Sequence, residues 1–379
     1  MPQQFDYIIA GAGCAGLSLA MHMIHSGTFT NKKILIVDKD SKRSNDRTWC
    51  FWEKEAGLFE PVVFRQWDRL QFHSNSFSNS FSISPYRYKM IRGLDFYNYC
   101  FETIKTQKNF TVWKDEVSHV FSNKKATGVV INGKAYLSDY VFNSLLFAKP
   151  SLRKDQFWLW QHFKGWIIES GSNVFDPSQA TLMDFRVSQE NGTAFCYVLP
   201  ISSSKALVEF TLFSSALLKN EEYDEGLKDY IEKTLSIKDY NVVDEEMGKI
   251  PMTNFRFSPG SRKLVNIGTA GGQTKGSSGY TFRFIQKHSA AIVKALEFKK
   301  DPVKRSGTGR FHFYDSVLLN ILHHNTVPGD YIFTQLFQKN KAVQVLKFLD
   351  NETGIKEELK IISSLPTMPF LKAGIKEIT

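Results

Sequence analysis

The chain has 379 residues, of which 42% are hydrophobic and 23% are charged. These proportions are typical of a soluble globular protein, and the length favours two domains over a single core. No run of eighteen apolar residues occurs, which excludes a membrane-spanning helix, and the first predicted strand begins too early to leave room for a signal peptide. We therefore expect a cytoplasmic protein.

The patterns of charge and cysteine argue against a nucleic-acid interface and a metal site. The net charge of +10 comes from 48 basic and 38 acidic side chains, and the basic ones are scattered along the chain. This spread suits weak attraction to an anionic membrane surface better than a nucleic-acid-binding stripe, although a solvated basic surface is an equally good interpretation. The four cysteines lack C-x-x-C spacing, which predicts reduced thiols and no metal.

The first predicted element is an apolar strand, residues 5–10, that runs into a turn with the pattern G-x-G-x-x-G and then into a helix. In this turn Gly11 permits the tight bend, Gly13 removes a side chain where a pyrophosphate approaches, and Gly16 lets helix and sheet pack closely. The helix N-terminus offers free N–H groups to phosphates. The pattern predicts a dinucleotide site, and its alternative is an ordinary strand–helix turn rich in small residues.

A second apolar strand, residues 34–37, ends in Asp38, at the distance past the glycines expected for a carboxylate that binds a ribose hydroxyl. We take Asp38 and the adjoining Lys39 as candidate cofactor-binding residues. A carboxylate at this position favours FAD or NAD over NADP, because it would repel a 2′-phosphate.

Residues 43–53 pass from a polar turn directly into an aromatic block. Arg47 lies where it could reach the cofactor phosphates, while Trp49 and Trp52 could wall off a pocket. The alternative is an aromatic staple that joins two domains, and both interpretations can hold together. Phe is also abundant, with 32 residues against 14 Tyr and 7 Trp, which favours a cavity for an apolar ligand or simply a Phe-rich core.

The order of the remaining elements predicts an α/β fold with a Rossmann-like FAD-binding domain of the glutathione-reductase and p-hydroxybenzoate-hydroxylase type. We expect this domain to comprise residues 1–60, 86–150 and 247–300. An antiparallel β-sheet substrate domain would comprise residues 61–85 and 151–246, because short alternating segments dominate there. Residues 301–379 are predicted to form a helical C-terminal region.

A late strand, near residues 263–267, ends in a second glycine-rich turn that contains Gly268, Gly271 and Gly272. Such a strand–turn–helix usually brings backbone N–H groups to the flavin side of a bound FAD. We therefore add these three glycines to the candidate cofactor-binding residues. A plain strand–helix connection is the alternative.

Two acids, Asp184 and Glu209, lie in otherwise apolar strand segments of the predicted substrate domain. A carboxyl group among Leu, Val and Phe loses hydration, which raises its pKa and keeps it protonated near neutrality, as a general acid requires. Either acid could instead face solvent on the polar side of its strand, and strand alternation does not decide between the two.

Several segments together carry a resemblance to a known family over nearly the whole chain: the first glycine turn and residues 46–52, 183–186, 197–201, 208–211, 250–252, 268–272 and 279–282. In these segments the sequence resembles the lycopene cyclases of carotenoid-producing bacteria and plants. The resemblance implies an enzyme that binds FAD, uses it reduced by NADPH, and cyclises the ends of a lipophilic carotenoid without net oxidation. It implies Glu209 as the proton donor, and Asp184 as an acid that helps the reduced flavin to compensate the charge of a carbocation.

Two other functions stay open. A flavin-dependent monooxygenase or polyprenyl reductase would share the fold, although Thr269 follows Gly268 where a hydroxylase usually has Asp. A carotenoid or lipid carrier that retains a nucleotide fold is a non-enzymatic alternative, and it would leave the two acids in apolar strands unexplained.

Overall fold

Strands dominate the first two thirds of the chain and helices the last third in the computed structural model, which describes residues 4–303 and 309–378. The strands are, in chain order, β1 (Gln4–Ala10), β2 (Ile34–Asp38), β3 (Thr48–Glu53), β4 (Arg65–Trp67), β5 (Arg69–His73), β6 (Ser78–Ser82), β7 (Arg87–Arg92), β8 (Phe110–Lys114), β9 (Val117–Ser122), β10 (Thr127–Ile131), β11 (Lys134–Asn143), β12 (Trp158–Ser170), β13 (Gln179–Asp184), β14 (Thr193–Pro200), β15 (Lys205–Ser214), β16 (Tyr240–Thr253), β17 (Gly260–Ser261) and β18 (Leu264–Asn266). The α-helices are α1 (Cys14–Ser26), α2 (Gly93–Lys105), α3 (Asn220–Asp229), α4 (Phe282–Glu297), α5 (Gly309–His323), α6 (Gly329–Lys339), α7 (Ala342–Leu349), α8 (Ile355–Ser363) and α9 (Thr367–Ile378).

The first sheet carries both glycine-rich turns. Its central strand β1 lies between β11 and β2 and is parallel to both, and β11 pairs in parallel with β18 on its other side. Strands buried on both faces of a parallel sheet need continuous apolar runs, and Ile8 and Ile9 of β1 are fully buried. Because the carboxyl ends of parallel strands meet at one edge, the turns after β1 and β18 come together.

The second sheet has the strand order β16-β12-β15-β14-β13-β5-β6. It is antiparallel apart from the parallel pair β13 and β5. Through this pair, β5 and β6 join a sheet whose other strands come about a hundred residues later in the chain. Strand β16 continues to Thr253 in this sheet, past the domain boundary placed at residue 247. The division into domains stays a prediction, whereas the antiparallel second sheet is confirmed.

The last third of the chain is helical, as predicted, and it packs on the second sheet through aromatic rings. Phe337 of α6 stacks on Phe72 of β5 at 4.7 Å between ring centroids, and Phe333 stacks on Phe185 at 5.7 Å. These rings belong to the largest apolar cluster of the molecule and hold the helices in place. Among the described residues, no helix combines the length and the apolar character needed to cross a membrane.

Candidate functional site

A cavity of about 330 Å³ lies where the glycine turns of the first sheet meet one face of the second sheet. Gly13 and Gly268 line it from the turns, and Tyr197, Leu207 and Glu209 line it from the second sheet. A cavity of this size with a few polar groups is typical of a small-molecule site. Within the described residues, no cluster of three or more His, Cys, Asp or Glu side chains is arranged to hold a metal ion.

The first glycine turn has the geometry that its motif predicts. Gly11 has φ +99°, and a Cβ atom there would collide with the side chain of Ser144. A Cβ at Gly16 would collide with the carbonyl oxygen of Gly11, so only glycine allows this close packing of helix on strand. At Gly13 the space within 4 Å of a Cβ is open, and α1, a helix of 13 residues, begins at the next residue. This open space and the helix N-terminus fit a pyrophosphate.

Asp38, the last residue of β2, and Lys39, which follows it, lie outside the cavity lining. Asp38 Oδ2 accepts a hydrogen bond of 2.6 Å from the backbone N–H of Ala12, so the carboxylate ties β2 to the glycine turn. Its Oδ1 lies 3.8 Å from Lys42 Nζ. Lys39 is exposed and pairs with Glu116 at 3.0 Å. The cofactor contacts expected of Asp38 and Lys39 stay predictions.

The aromatic block serves both as a cavity wall and as a connection between parts of the fold. Arg47 and Trp49 line the cavity, and Arg47 Nη2 is paired with Asp46 Oδ2 at 3.1 Å. Trp52 is almost fully buried and donates through Nε1 to the carbonyl oxygen of Leu346 in α7 at 3.2 Å. Trp49 thus lies in the cavity wall and Trp52 does not, while the joining of two domains and the phosphate contact expected of Arg47 stay predictions.

The second glycine turn packs against the start of α1. Gly268 has φ +61°, and a Cβ there would lie 2.7 Å from the Cβ of Ala15, so the position needs glycine for its backbone and for its close contact. Gly271 also has no room for a Cβ, which would collide with the carbonyl oxygen of Asn266, and Gly272 ends the turn with φ +76°. Gly268 lines the cavity, whereas Gly271 and Gly272 do not, and the cofactor contacts expected of these glycines stay predictions.

Glu209 is half-buried and lines the cavity. Its Oε1 accepts a hydrogen bond of 2.8 Å from the hydroxyl of Thr211. Burial, assisted by the charge of Glu246, raises the pKa of Glu209 to about 8. The direction predicted for this pKa is confirmed, and a raised pKa favours the protonated form of the carboxyl near neutral pH. Its role as the proton donor stays a prediction.

Glu246 is a second acid at the site, and it was not predicted from the sequence. In the second sheet Gly165 of β12 pairs with Glu209 of β15 on one side and with Glu246 of β16 on the other. Directly opposed residues point to the same face, so both carboxyl side chains project on either side of Gly165. A Cβ at Gly165 would lie 2.9 Å from Leu207 Cδ1, 3.3 Å from Glu246 Cγ and 3.5 Å from Glu209 Cβ, so the glycine allows Leu207 and the two acids to pack closely around this position.

The surroundings of Glu246 favour a shared proton. The residue is 8% exposed, and its Oε2 accepts a hydrogen bond of 2.7 Å from the hydroxyl of Thr48. Its Oε1 is buried and has no donor in the described part of the chain unless a carboxyl is protonated. Burial raises the pKa of Glu246 to about 7, against the lowering effects of the Thr48 hydroxyl and of the neighbouring Glu209 carboxyl. Gly165, a glycine inside the long strand β12, was the sequence signal for such a close approach.

Asp184 lies on the opposite face of the second sheet, away from the cavity. It pairs with Cys196, which pairs with Phe210, so the three side chains point away from the face that Tyr197 and Glu209 share.

The pKa expected for Asp184 is wrong. Burial acts to raise this pKa, but bonds from Arg186 Nε at 2.9 Å and Nη2 at 2.6 Å, together with one from the Tyr230 hydroxyl at 2.9 Å, hold the pKa below its ordinary value. Together, Arg186 and Tyr230 lower the pKa of Asp184 by more than burial among apolar neighbours raises it. The structure thus brings Glu209, Arg47, Gly13 and Gly268 together at one cavity and leaves Asp184 outside it.

Three tyrosines complete the cavity wall near Glu209. Tyr88, Tyr197 and Tyr280 all line the cavity, and burial raises the pKa of each phenol, so the three side chains are neutral. Tyr280 meets Trp52 edge-on at 4.6 Å between ring centroids, which fixes its orientation. Neutral aromatic rings of this kind offer faces that attract a cation.

Comparison with known proteins gives one family over nearly the whole chain. The family model described as "Lycopene cyclase protein" matches residues 6–374. Lycopene beta-cyclase from Pantoea ananas is 23% identical over 406 residues, with 98% of each chain covered. A chloroplastic neoxanthin synthase from Solanum tuberosum is 27% identical over 323 residues, covering 77% of this chain and 61% of that protein.

Solved structures of similar shape are flavoproteins. A geranylgeranyl bacteriochlorophyll reductase-like protein from Thermoplasma acidophilum has a TM-score of 0.67 at 13% identity, with 98% of each chain covered. A flavoprotein/dehydrogenase from Cytophaga hutchinsonii has a TM-score of 0.66 at 11% identity, with 99% of each chain covered. A probable FAD-dependent monooxygenase from Pseudomonas aeruginosa has a TM-score of 0.57 at 12% identity, covering 86% of this chain and 98% of that one. These similarities confirm the predicted flavoprotein fold.

Proposed function

The chain belongs to the lycopene cyclase family, and we propose that it converts the ends of lycopene to β-ionone rings, through γ-carotene to β-carotene, in a flavin-dependent reaction without net redox change. The observation that carries this proposal is the position of Glu209, an acid with a pKa raised to about 8 that lines the same cavity as Gly13 and Gly268. A protonated carboxyl beside a dinucleotide site is what acid-catalysed cyclisation requires.

The residues around the glycine turns fit FAD. The open space at Gly13 and the N-terminus of α1 would receive the pyrophosphate, and Asp38 at the end of β2 would bind the ribose. Gly268 and Arg47 line the cavity where the rest of the cofactor would lie. Bound there in its reduced form, with NADPH as the proposed reductant, FAD would supply negative charge close to a developing cation.

Glu209 would begin the reaction by giving its proton to a terminal C=C bond of the polyene, which leaves a tertiary carbocation. An internal double bond then attacks the cation and closes the ring, and loss of a ring proton restores neutrality. The neutral rings of Tyr88, Tyr197 and Tyr280 would lie beside the cation and attract it. The proton given and the proton lost balance, so the product is an isomer of the substrate.

A second candidate function is reduction or hydroxylation of an apolar isoprenoid. The observation that favours it is the similarity of fold to a reductase-like protein and a probable monooxygenase. These reactions change the mass of the substrate, by two hydrogens or one oxygen, whereas cyclisation does not.

We also propose that the protein lies at the inner face of the cytoplasmic membrane, where its lipophilic substrate dissolves. The net charge of +10 supports attraction to anionic lipids. Exposed apolar side chains beside lysines support contact with lipid: Met368 and Leu371 next to Lys372 on α9, and Ile355 next to Lys356 on α8.

Anaerobic incubation with lycopene, FAD and NADPH tests the proposed function. We expect a product of unchanged mass with a shifted absorption spectrum, and NADPH that is not consumed in proportion to product. Glu209→Gln should keep FAD bound and leave lycopene uncyclised, whereas Glu245→Gln, which removes an exposed carboxylate of the same sheet, should retain activity. A product heavier by two hydrogens or one oxygen would overturn the proposal, and full β-carotene formation by Glu209→Gln would remove Glu209 from the acid role.

A further inference from the structure

We propose that Glu246 is a positioning residue that holds the reactive proton on Glu209, and that Gly165 exists between them so that the two carboxyl groups share this proton. The inference rests on the proposed function, because the proton it concerns is the one given to the polyene. Glu209, Gly165 and Glu246 lie on three neighbouring strands, β15, β12 and β16, which come from separate segments of the chain.

The hydrogen bonds around the pair leave room for one shared proton. Thr211 donates to Glu209 Oε1 at 2.8 Å, and Thr48 donates to Glu246 Oε2 at 2.7 Å. Each carboxyl therefore has one oxygen fixed by a hydroxyl, and the buried Oε1 of Glu246 still needs a donor. A proton on Glu209 would meet that need, because the two acids lie on either side of Gly165 and on the same face of the sheet.

The geometry also decides which acid faces the substrate. Glu209 lines the cavity, whereas Glu246 is not among the lining residues and is 8% exposed. Two neighbouring carboxylates in a buried site resist ionising together, so Glu246 favours the protonated form of Glu209. Glu209 can present the proton to an alkene, and Glu246 acts only through Glu209.

The proton balance of the pair closes over one ring formation. Glu209 gives its proton to the alkene carbon, and the pair, now doubly negative, lies beside the carbocation. The ring then loses a proton, and the pair takes up one proton to return to its starting state. No oxidant or reductant is needed, because only a proton moves out and in.

Other charged and titratable groups surround the pair and must be counted in any pH dependence. The charge of Glu209 acts to raise the pKa of four neighbouring groups, Cys50, Cys196, Tyr197 and Tyr280. Two carboxylates, Asp46 and Asp244, act to raise the pKa of Glu246. Two cations, Arg47 and Lys249, line the same cavity. The variant below changes none of them.

Glu246→Gln tests the proposal, because the amide oxygen can still accept from Thr48 while the negative charge is lost. We expect the alkaline limb of the kcat/KM profile to move to lower pH by about one unit or more. Glu245→Gln is the matched control: Glu245 is exposed, points to the other face, and pairs with Lys164 at 3.4 Å. Its pH profile should be that of the wild type.

Infrared spectroscopy of the protein without substrate gives a second readout. The difference between wild type and Glu209→Gln isolates the C=O band of the neutral Glu209 carboxyl, and its titration midpoint should fall in Glu246→Gln and in Gly165→Ala. An unchanged midpoint, or a uniform loss of kcat at every pH, would assign Glu246 a merely structural role and overturn the proposal. If the wild type fails to cyclise lycopene while the midpoint shifts as expected, the proposed function fails and the shared proton stands.

Discussion

Replacing Asp184 by Asn is predicted to destabilise the fold and to leave ring formation intact. The Asp184 side chain is 1% exposed and accepts bonds from the Arg186 guanidinium at 2.9 and 2.6 Å, from the Arg186 backbone N–H at 3.0 Å and from the Tyr230 hydroxyl at 2.9 Å. Asn has nearly the same shape but lacks the charge, and its amide group turns a donor toward one of these donors. The variant therefore leaves the Arg186 guanidinium without its counter-ion.

The magnitude follows from the burial of the two partners. Breaking a buried ion pair by removing one partner costs about 3–5 kcal/mol. The side chain of Arg186 is 37% exposed and regains hydration, so we expect a smaller loss of about 2–3 kcal/mol in the free energy of unfolding. For a chain of 379 residues this corresponds to a fall of about 3 °C in Tm.

The stability difference between wild type and Asp184→Asn should depend on pH. The pKa of Asp184 in the folded protein lies below the ordinary value of 3.8. The carboxylate therefore contributes its full stabilisation above pH 3.8 and loses it as the pH falls through the folded pKa. Thermal or chemical denaturation of wild type and Asp184→Asn should differ by a constant amount between pH 7 and about pH 5, and the difference should shrink below about pH 4.

Turnover measured on the folded fraction completes the test. The structure predicts that Asp184→Asn cyclises lycopene at the wild-type rate once folded, because Asp184 lies on the far face of the second sheet. A variant with wild-type stability and no turnover would refute this reasoning and return Asp184 to the chemistry.

Two further predictions concern the cofactor and the membrane. Gly13→Val should weaken FAD binding by at least about tenfold, because the valine side chain would fill the open space at the turn. The control Gly354→Ala, at the start of α8, should bind FAD as the wild type does. Quenching of flavin fluorescence measures the binding of both variants. The double substitution Met368→Ser and Leu371→Ser should reduce co-sedimentation of the protein with anionic vesicles. The fold should be unchanged, because both side chains are exposed. Equal binding by the variant and the wild type would exclude this face of α9 as the membrane contact.

Local sequence patterns were sufficient for the two glycine-rich turns and the elements that flank them. The strand β1, the turn through Gly11, Gly13 and Gly16, and helix α1 follow one another directly, so their signal is contained in a short window. The same holds for the turn at Gly268. Glu209 could also be singled out, since a carboxyl in an apolar strand is unusual wherever the strand lies.

The pairing of acids could not be predicted in the same way. Glu209, Gly165 and Glu246 meet because three distant segments pair in one register, and a shift of one residue would turn the carboxyls to opposite faces. The pKa predicted for Asp184 was wrong for a different reason. Its apolar neighbours suggested a protonated acid, but Arg186 lies two residues along and supplies the charge that keeps it ionised.

Deuterium transfer in D2O tests most directly whether a neutral Glu209 carboxyl protonates the polyene. With reduced FAD, and with enzyme in excess over lycopene, we predict that the first ring formed carries one deuterium and that the product gains neither oxygen nor a pair of hydrogens, while Glu209→Gln forms no ring. A cyclised product without deuterium, or an equally labelled product from Glu209→Gln, would contradict the account.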